Sequence, residues 1–454
     1  MNQDNDSTIP QHKRTEGDIN ITEARKEWNA TISDKKTLKL LEKDARYFMH
    51  QALSTPCLDV LGNCNGSYIE SITGKKYLDF HGNNVHQLGF SHPKLVQRLT
   101  EQLQSLTFST RRYTNETAIN FAEKLTSLLP SDLNRVLMTP NGSSAIGIAL
   151  KLARAITGKH KVVSFWDSFH GASLDAISVG GEAVFREYMG PMMPGVERIS
   201  PPVTYRGIFE GDENKCLEHL EYVFAKAGDI GAFIAETVRN TDVQLPSIAF
   251  WKEARTLCDK YGVLLILDEI PIALGRTGKM FAFEHYEIEP DILCLGKGLG
   301  GGIFPQACIV TRDRYNTFPD ISLGHYTHEK SPLGAMAALT TLEIIEEEKI
   351  LHKVASDSLV MCTAMNILRD KHAIIGDIRG RGLLWGVELV TNKSTKEKAV
   401  QQAEQVMYEC LKNGLSFKVS AGNVLQLAPA LTISRNELKQ AIKIIDNALF
   451  SVSN

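Results

Sequence analysis

The chain has 454 residues, about three times a typical ~150-residue domain, so one large or two smaller folded units are expected. Lys and Arg number 50 and Asp and Glu 53, a formal net charge of −3, which argues against bulk attraction to nucleic acid or an anionic membrane. Hydrophobic residues make up 43% and charged residues 23%, a globular rather than disordered composition.

No run reaches the ~18 apolar residues of a bilayer span. The first residues, Met1-Asn2-Gln3-Asp4-Asn5-Asp6, are polar and acidic, with no charged-then-apolar leader. The 8 cysteines are scattered, without a C-x-x-C pair or a Cys/His ligand spacing. Neither a disulfide framework nor a metal site is expected, and a cytoplasmic setting is.

Residues 1 to about 35 carry no sustained apolar period and read as a mobile arm or a surface-docked segment. Between Val60 and Leu88, turn residues at 63–66 and 73–76 bracket Ser67-Tyr68-Ile69-Glu70 in a hairpin pattern. Apolar residues then fall at helical spacing from Pro93 to Leu129, as in Leu95, Leu99, Leu103 and Phe121, Leu125, Leu128. Strands are predicted at 135–138, 161–165, 230–235 and 263–267, with helices at 145–156 and 247–261 among them. That alternation implies parallel pairing in an α/β sheet. After a long helix at 335–348 come helices at 354–371, 399–411 and 436–450 around a strand-like stretch, 382–389, which together predict a smaller α+β unit.

In open α/β sheets, ligands bind beyond the carboxyl ends of the strands. Asp268 ends the apolar run Val263-Leu264-Leu265-Ile266-Leu267. A carboxylate there is costly unless it meets a cation or donor. A helix cap or ion pair would satisfy it, and so would a protonated heterocyclic nitrogen such as that of pyridoxal phosphate. Lys297 closes another apolar run among Gly296, Gly298, Gly300, Gly301 and Gly302. Partial burial would lower its pKa towards the neutral amine of Schiff-base chemistry, the alternative being a solvated loop lysine. Gly296-x-Gly298-x-x-Gly301 also matches a dinucleotide fingerprint. The segment after it, 303–310, reads as a strand rather than the required helix, so that reading is rejected. Asn141-Gly142-Ser143-Ser144 opens a helix, as an ordinary cap or as an anion site at the positive end of the dipole. Phe169-His170-Gly171 follows the strand at 161–165, where an aromatic ring packs or stacks on a planar ligand.

With Leu274-Gly275-Arg276-Thr277-Gly278 and Arg379-Gly380-Arg381-Gly382-Leu383, and with Lys297 following Asp268 by 29 residues, these motifs resemble the class III (omega) aminotransferases. The resemblance runs from about residue 50 to the C-terminus and implies the α/β fold of type I pyridoxal-phosphate enzymes. A large domain with a mainly parallel sheet is then expected over 91–345 and a small α+β domain over 346–454. The segment 36–90 would pack with the small domain, and 1–35 would form the arm. The family implies pyridoxal 5′-phosphate attached to Lys297, which also shuttles the proton, and Asp268 holding the ring nitrogen protonated. It further implies Gly142 and Ser143 on the phosphate, Phe169 stacked on the ring, His170 beside the cofactor, and Glu236 next to cofactor or substrate. Thr327 matches a threonine that reaches the phosphate from the neighbouring subunit, so a homodimer with a shared active site is implied.

Departures from the family concern the substrate. Members acting on α-amino acids often carry Arg-x-x-Pro-Pro-Leu near the C-terminus; here the segment is Gln426-Leu427-Ala428-Pro429-Ala430-Leu431. Gln426 lacks the charged fork that a carboxylate prefers. Asp268-Glu269-Ile270-Pro271 replaces Asp-Glu-Val-Gln, Arg239-Asn240-Thr241-Asp242 replaces a glycine-rich stretch, and Ser144 stands where an acidic residue is frequent. Asn83-Asn84-Val85 resembles the ethanolamine-phosphate phospho-lyases of the same class, and Arg111-Arg112-Tyr113 lies where those lyases carry a basic residue. Arginines suit a phosphate or phosphonate, a surface or intersubunit pair being their plainer role. The expected function is a lyase acting on a small primary amine with a phosphonate or phosphate group and no α-carboxylate. The best specific expectation is a 1-hydroxy-2-aminoethylphosphonate ammonia-lyase giving phosphonoacetaldehyde and ammonia, with Arg111, Arg112, Asn84 and Gln426 around the substrate. The alternative is an omega-amine:pyruvate or 4-aminobutyrate-type aminotransferase.

Overall fold

The computed structural model describes residues 22–51 and 57–452. Its largest sheet has 7 strands, ordered Leu133–Thr139, Ala307–Arg312, Ile292–Leu295, Leu264–Asp268, Ile230–Glu236, Lys161–Phe165 and Val196–Ile199. From Ile292–Leu295 to Val196–Ile199 every neighbouring pair is parallel. Ala307–Arg312 runs antiparallel to both neighbours and starts later than the strand expected at 303–310. The reason is the link before it. Residues 296–306 hold only the single turn Lys297–Gly300, too little for the crossover that a parallel pair needs.

Ile230–Glu236, Leu264–Asp268 and Ile292–Leu295 are buried at every position. Their side chains divide by alternation. Ile234, Ile266 and Cys294 join Ile146 and Ala149 of the helix Gly142–Thr157 in one cluster. Phe233, Leu265 and Leu293 join Phe250 and Trp251 of Ile248–Tyr261 in another. Apolar layers on both faces explain why these strands read as unbroken apolar runs.

Leu61–Asn65, Tyr68–Ser71 and Lys76–Asp79 form an antiparallel meander, to which Leu415–Ser416 adds in parallel. A third sheet joins Ile375–Arg381, Leu384–Asn392, Val424–Leu427 and Lys418–Ser420, all antiparallel. Ala428, just after Val424–Leu427, laces it to the early chain by donating its N–H to Phe80 O at 2.7 Å, and Phe80 N–H donates to Ser416 O of the meander sheet at 2.7 Å.

The glycine- and arginine-containing motifs around 276 and 381 turn out to be one clamp. Arg276 is fully buried and donates from Nη1 to Leu383 O at 3.1 Å and to Pro429 O. Leu383 N–H returns a bond to Arg276 O at 3.0 Å. Gly382 sits at φ +62°, where a Cβ would lie 2.5 Å from Arg276 O, so only glycine fits. Burial pushes the Arg276 guanidinium down to about 9.

Residues 1–21 of the expected mobile arm lie outside the described residues, but its remainder is docked. Thr22 caps the helix Glu23–Ala30 through Arg25 N–H at 3.2 Å. Trp28 is buried 6.0 Å from the Tyr408 ring, and its Nε1 donates to Leu58 O at 2.9 Å. Among the described residues no helix is long and apolar enough to cross a membrane.

Replacing Trp28 with Ala removes the anchor of this helix, a truncation worth about 3–5 kcal/mol at a buried site. Limited proteolysis is expected to cut the Trp28→Ala variant at residues 31–34 while the rest of the chain keeps its far-UV signal. An unchanged digest would show that the ring does not hold the helix.

Candidate active site

Because the strands share one direction, their carboxyl ends bring Asp268, Glu236 and the loops after Phe165 and Leu295 to one edge of the sheet. Lys297 lies there, half-buried, with φ +48°. A non-glycine residue in that region is strained, a condition common at functional sites. Gly298 packs closely on Gln87, since a Cβ there would fall 2.0 Å from Gln87 Oε1. Burial pushes the Lys297 ammonium below its ordinary value; Asp268 opposes the shift, Lys418 adds to it, and Glu236 opposes it.

Asp268 is 2% exposed. Its Oδ2 accepts a hydrogen bond from His170 Nδ1 at 2.8 Å and its Oδ1 one from Ile270 N–H at 3.1 Å. A carboxylate only accepts, so His170 carries its proton on Nδ1 and orients the acid. Glu236 pairs in register with Asp268 on the next strand. Its two oxygens accept Phe169 N–H at 3.2 Å and Asn240 N–H at 2.9 Å. Burial raises the Glu236 pKa; His170 opposes this and Asp268 reinforces it.

The third element is the start of the helix Gly142–Thr157. Asn141 caps it through Ser144 N–H at 2.9 Å. The N–H groups of Gly142 and Ser143 have no acceptor within the helix and face its positive end. Ser143 Oγ accepts Ala172 N–H at 3.1 Å, and Gly171, at φ +127°, passes so close that a Cβ would sit 2.3 Å from that oxygen. A Cβ on Gly142 would lie 2.9 Å from Ile270 Cδ1, so the residue that departs from the family motif packs the helix start against the Asp268 strand. An amine, a buried carboxylate held by a histidine, and a helix N-terminus with a hydroxyl at one sheet edge fit pyridoxal phosphate. Phe169 is half-buried with its ring centroid 4.8 Å from that of Phe185.

The expected substrate residues divide. Asn84 and Gln426 are buried and meet at Asn240: Asn84 Nδ2 donates to its Oδ1 at 3.3 Å, and Gln426 Nε2 to its backbone O at 2.6 Å. The Gln426 amide nitrogen is therefore committed within the protein. Asn84 Oδ1 is buried with no hydrogen-bond partner. Arg111 and Arg112 lie exposed on the loop between Pro93–Gln104 and Glu116–Ser127, and Thr327 lies exposed before Pro332–Glu347. Sequence reasoning missed Asn240 as a junction. Its only signal was its place in a stretch that departs from the family.

Removing the Asn240 side chain leaves Asn84 Nδ2 and Oδ1 both unpaired in the interior, at a cost of about 1–3 kcal/mol. Chemical denaturation of Asn84→Ala, Asn240→Ala and the double variant should give a loss for the pair about 1 kcal/mol smaller than the sum. Strictly additive losses would break the junction.

Residues 51–449 match the family model for class-III aminotransferases. The (R)-1-hydroxy-2-aminoethylphosphonate ammonia-lyase of Vibrio splendidus (strain 12B01) is 56% identical over 459 residues, covering 97% of this chain and 96% of that protein. The adenosylmethionine-8-amino-7-oxononanoate aminotransferase of Staphylococcus aureus is 31% identical, covering 92% and 98%. An amine transaminase from an uncultivated Pseudomonas species, solved in its PLP-bound form, matches with a TM-score of 0.84 at 28% identity, over 90% of this chain and 99% of that one. The chain belongs to the class-III aminotransferase family, whose cofactor is pyridoxal 5′-phosphate.

Proposed function

We propose that the chain is a pyridoxal-phosphate-dependent ammonia-lyase that converts 1-hydroxy-2-aminoethylphosphonate to phosphonoacetaldehyde and ammonia. The observation that carries this reading is the 56% identity, over 97% of the chain, to a protein of that activity. The site supports it: at the position of the family's carboxylate-gripping arginine stands Gln426, uncharged and bonded to Asn240. An α-carboxylate has no charged clamp there.

When bound, the cofactor supplies a sink for negative charge at the amine-bearing carbon. Asp268, oriented by His170, would hold the proton of the ring nitrogen, and Gly142 and Ser143 would hold the phosphate. Phe169, on the loop after Lys161–Phe165, would cover the ring. Lys297, whose ammonium burial pushes below its ordinary value, would take the proton from the amine-bearing carbon of the substrate. The hydroxyl on the next carbon then departs as water. One water returns on hydrolysis, so the net products are the aldehyde and ammonia. Glu236 borders the reacting groups as a buried carboxyl. We read Thr327, Arg111 and Arg112, exposed in one protomer, as residues that a second copy brings to a shared site in a homodimer. The site itself would lie where the 91–345 and 346–454 parts meet, with 36–90 contributing Asn84.

Purified enzyme should release ammonia from the aminophosphonate with no keto acid present, and Lys297→Ala should lower that rate at least ~10³-fold. A strict need for a keto acid, with the cofactor left in its aminated form, would make the protein an aminotransferase.

Reloading of the apo chain with pyridoxal phosphate, followed by absorbance, needs the neutral Lys297 amine. Its rate should rise with pH through an inflection below 10.5, the ordinary lysine value. An inflection at or above that value would contradict the buried amine.

A further inference from the structure

Lys418 stands directly opposite Gln426 in the antiparallel pairing of Lys418–Ser420 with Val424–Leu427. Opposed residues project from the same face of a sheet. Two bonds identify that face. Gln426 Nε2 donates to Asn240 O at 2.6 Å, and Ser420 Oγ, two residues beyond Lys418, donates to Gln426 Oε1 at 3.4 Å. Asn240 N–H in turn donates to Glu236 Oε2 at 2.9 Å. The lysine stem therefore rises on the side of the small sheet that meets the Glu236 end of the large one.

The strand's approach to the site is fixed from the other direction as well. Phe80 N–H donates to Ser416 O, which sets His81 beside the residues leading into Lys418. Electrostatics agree with this placement. The Lys418 charge acts on both Lys297 and His81, holding each below its ordinary pKa after the larger effect of burial. In an aminoethylphosphonate, two carbons separate the amine from phosphorus. A cation that reads the phosphonate must therefore lie close to Lys297, the amine that the substrate replaces.

We propose that Lys418 is the specificity-determining residue that receives the phosphonate group, a role expected of Arg111 or Arg112 from the sequence. The assignment rests on the ammonia-lyase reading for its substrate. A compact ammonium suits a tetrahedral dianion, which needs charge more than a planar fork.

The test uses the holoenzyme and 2-hydroxyethylphosphonate, which carries the anion but no amine, titrated calorimetrically. Lys418→Gln should weaken binding at least about tenfold, the scale of a lost charge-assisted bond. It should raise KM for the aminophosphonate by a similar factor while kcat stays within about threefold and the cofactor's visible absorbance is retained. Lys418→Arg should keep most of the affinity, and Arg111→Ala/Arg112→Ala should cost several-fold less than Lys418→Gln. Unchanged affinity in Lys418→Gln, a loss that instead follows the arginines, or no binding by the unmodified enzyme would overturn the proposal. Binding through Lys418 without ammonia release would leave the anion site standing and sink the lyase reading alone.

Discussion

A negative charge on Asp268, nearly sealed from water, is the constraint around which the site is arranged. Such a charge is tolerated only where donors meet it. One comes from the backbone two residues on, Ile270, and another from His170, carried on a loop from a different strand. The parallel strands bring those two loops to one edge. The same Ile270 that supplies the N–H fills the space left by glycine at position 142, so the carboxylate and the helix start are positioned by one side chain.

Around that centre, positioning is shared among remote parts of the chain. Asn240 touches the Glu236 carboxylate by its N–H, Asn84 by its side chain and Gln426 by its carbonyl. Two segments distant in sequence thus report to one residue, which is itself four places from Glu236. The Gln87 contact under Gly298 does the same for the turn that carries Lys297. Glycines around that lysine serve close packing at least as much as ligand access.

Much of the fold could be read from patterning because buried strands leave unbroken apolar runs. Leu264–Asp268 and Ile292–Leu295 declared themselves that way, and with them Asp268 and Lys297 at their ends. The antiparallel run of Ala307–Arg312 was not legible, because direction depends on the length and content of the link before it. Trp28 docks a helix by a single ring, and one residue makes no period. Asn240 and Lys418 escaped notice for a related reason. A polar residue in a loop or a lysine in a short strand has no local signature, and its importance comes from what pairing places opposite it.

The shared guanidinium of Arg276 has an architectural consequence. Its Nη1 donates to the carbonyls of both Leu383 and Pro429, which lie more than 100 residues further along the chain. Severing the polypeptide between these stretches would strand a buried cation in one fragment and orphaned carbonyls in the other. The C-terminal quarter is therefore no detachable module. Its sheet is welded to the part that carries Asp268 and Lys297, and exchange of that quarter between relatives would have to carry the arginine's surroundings with it.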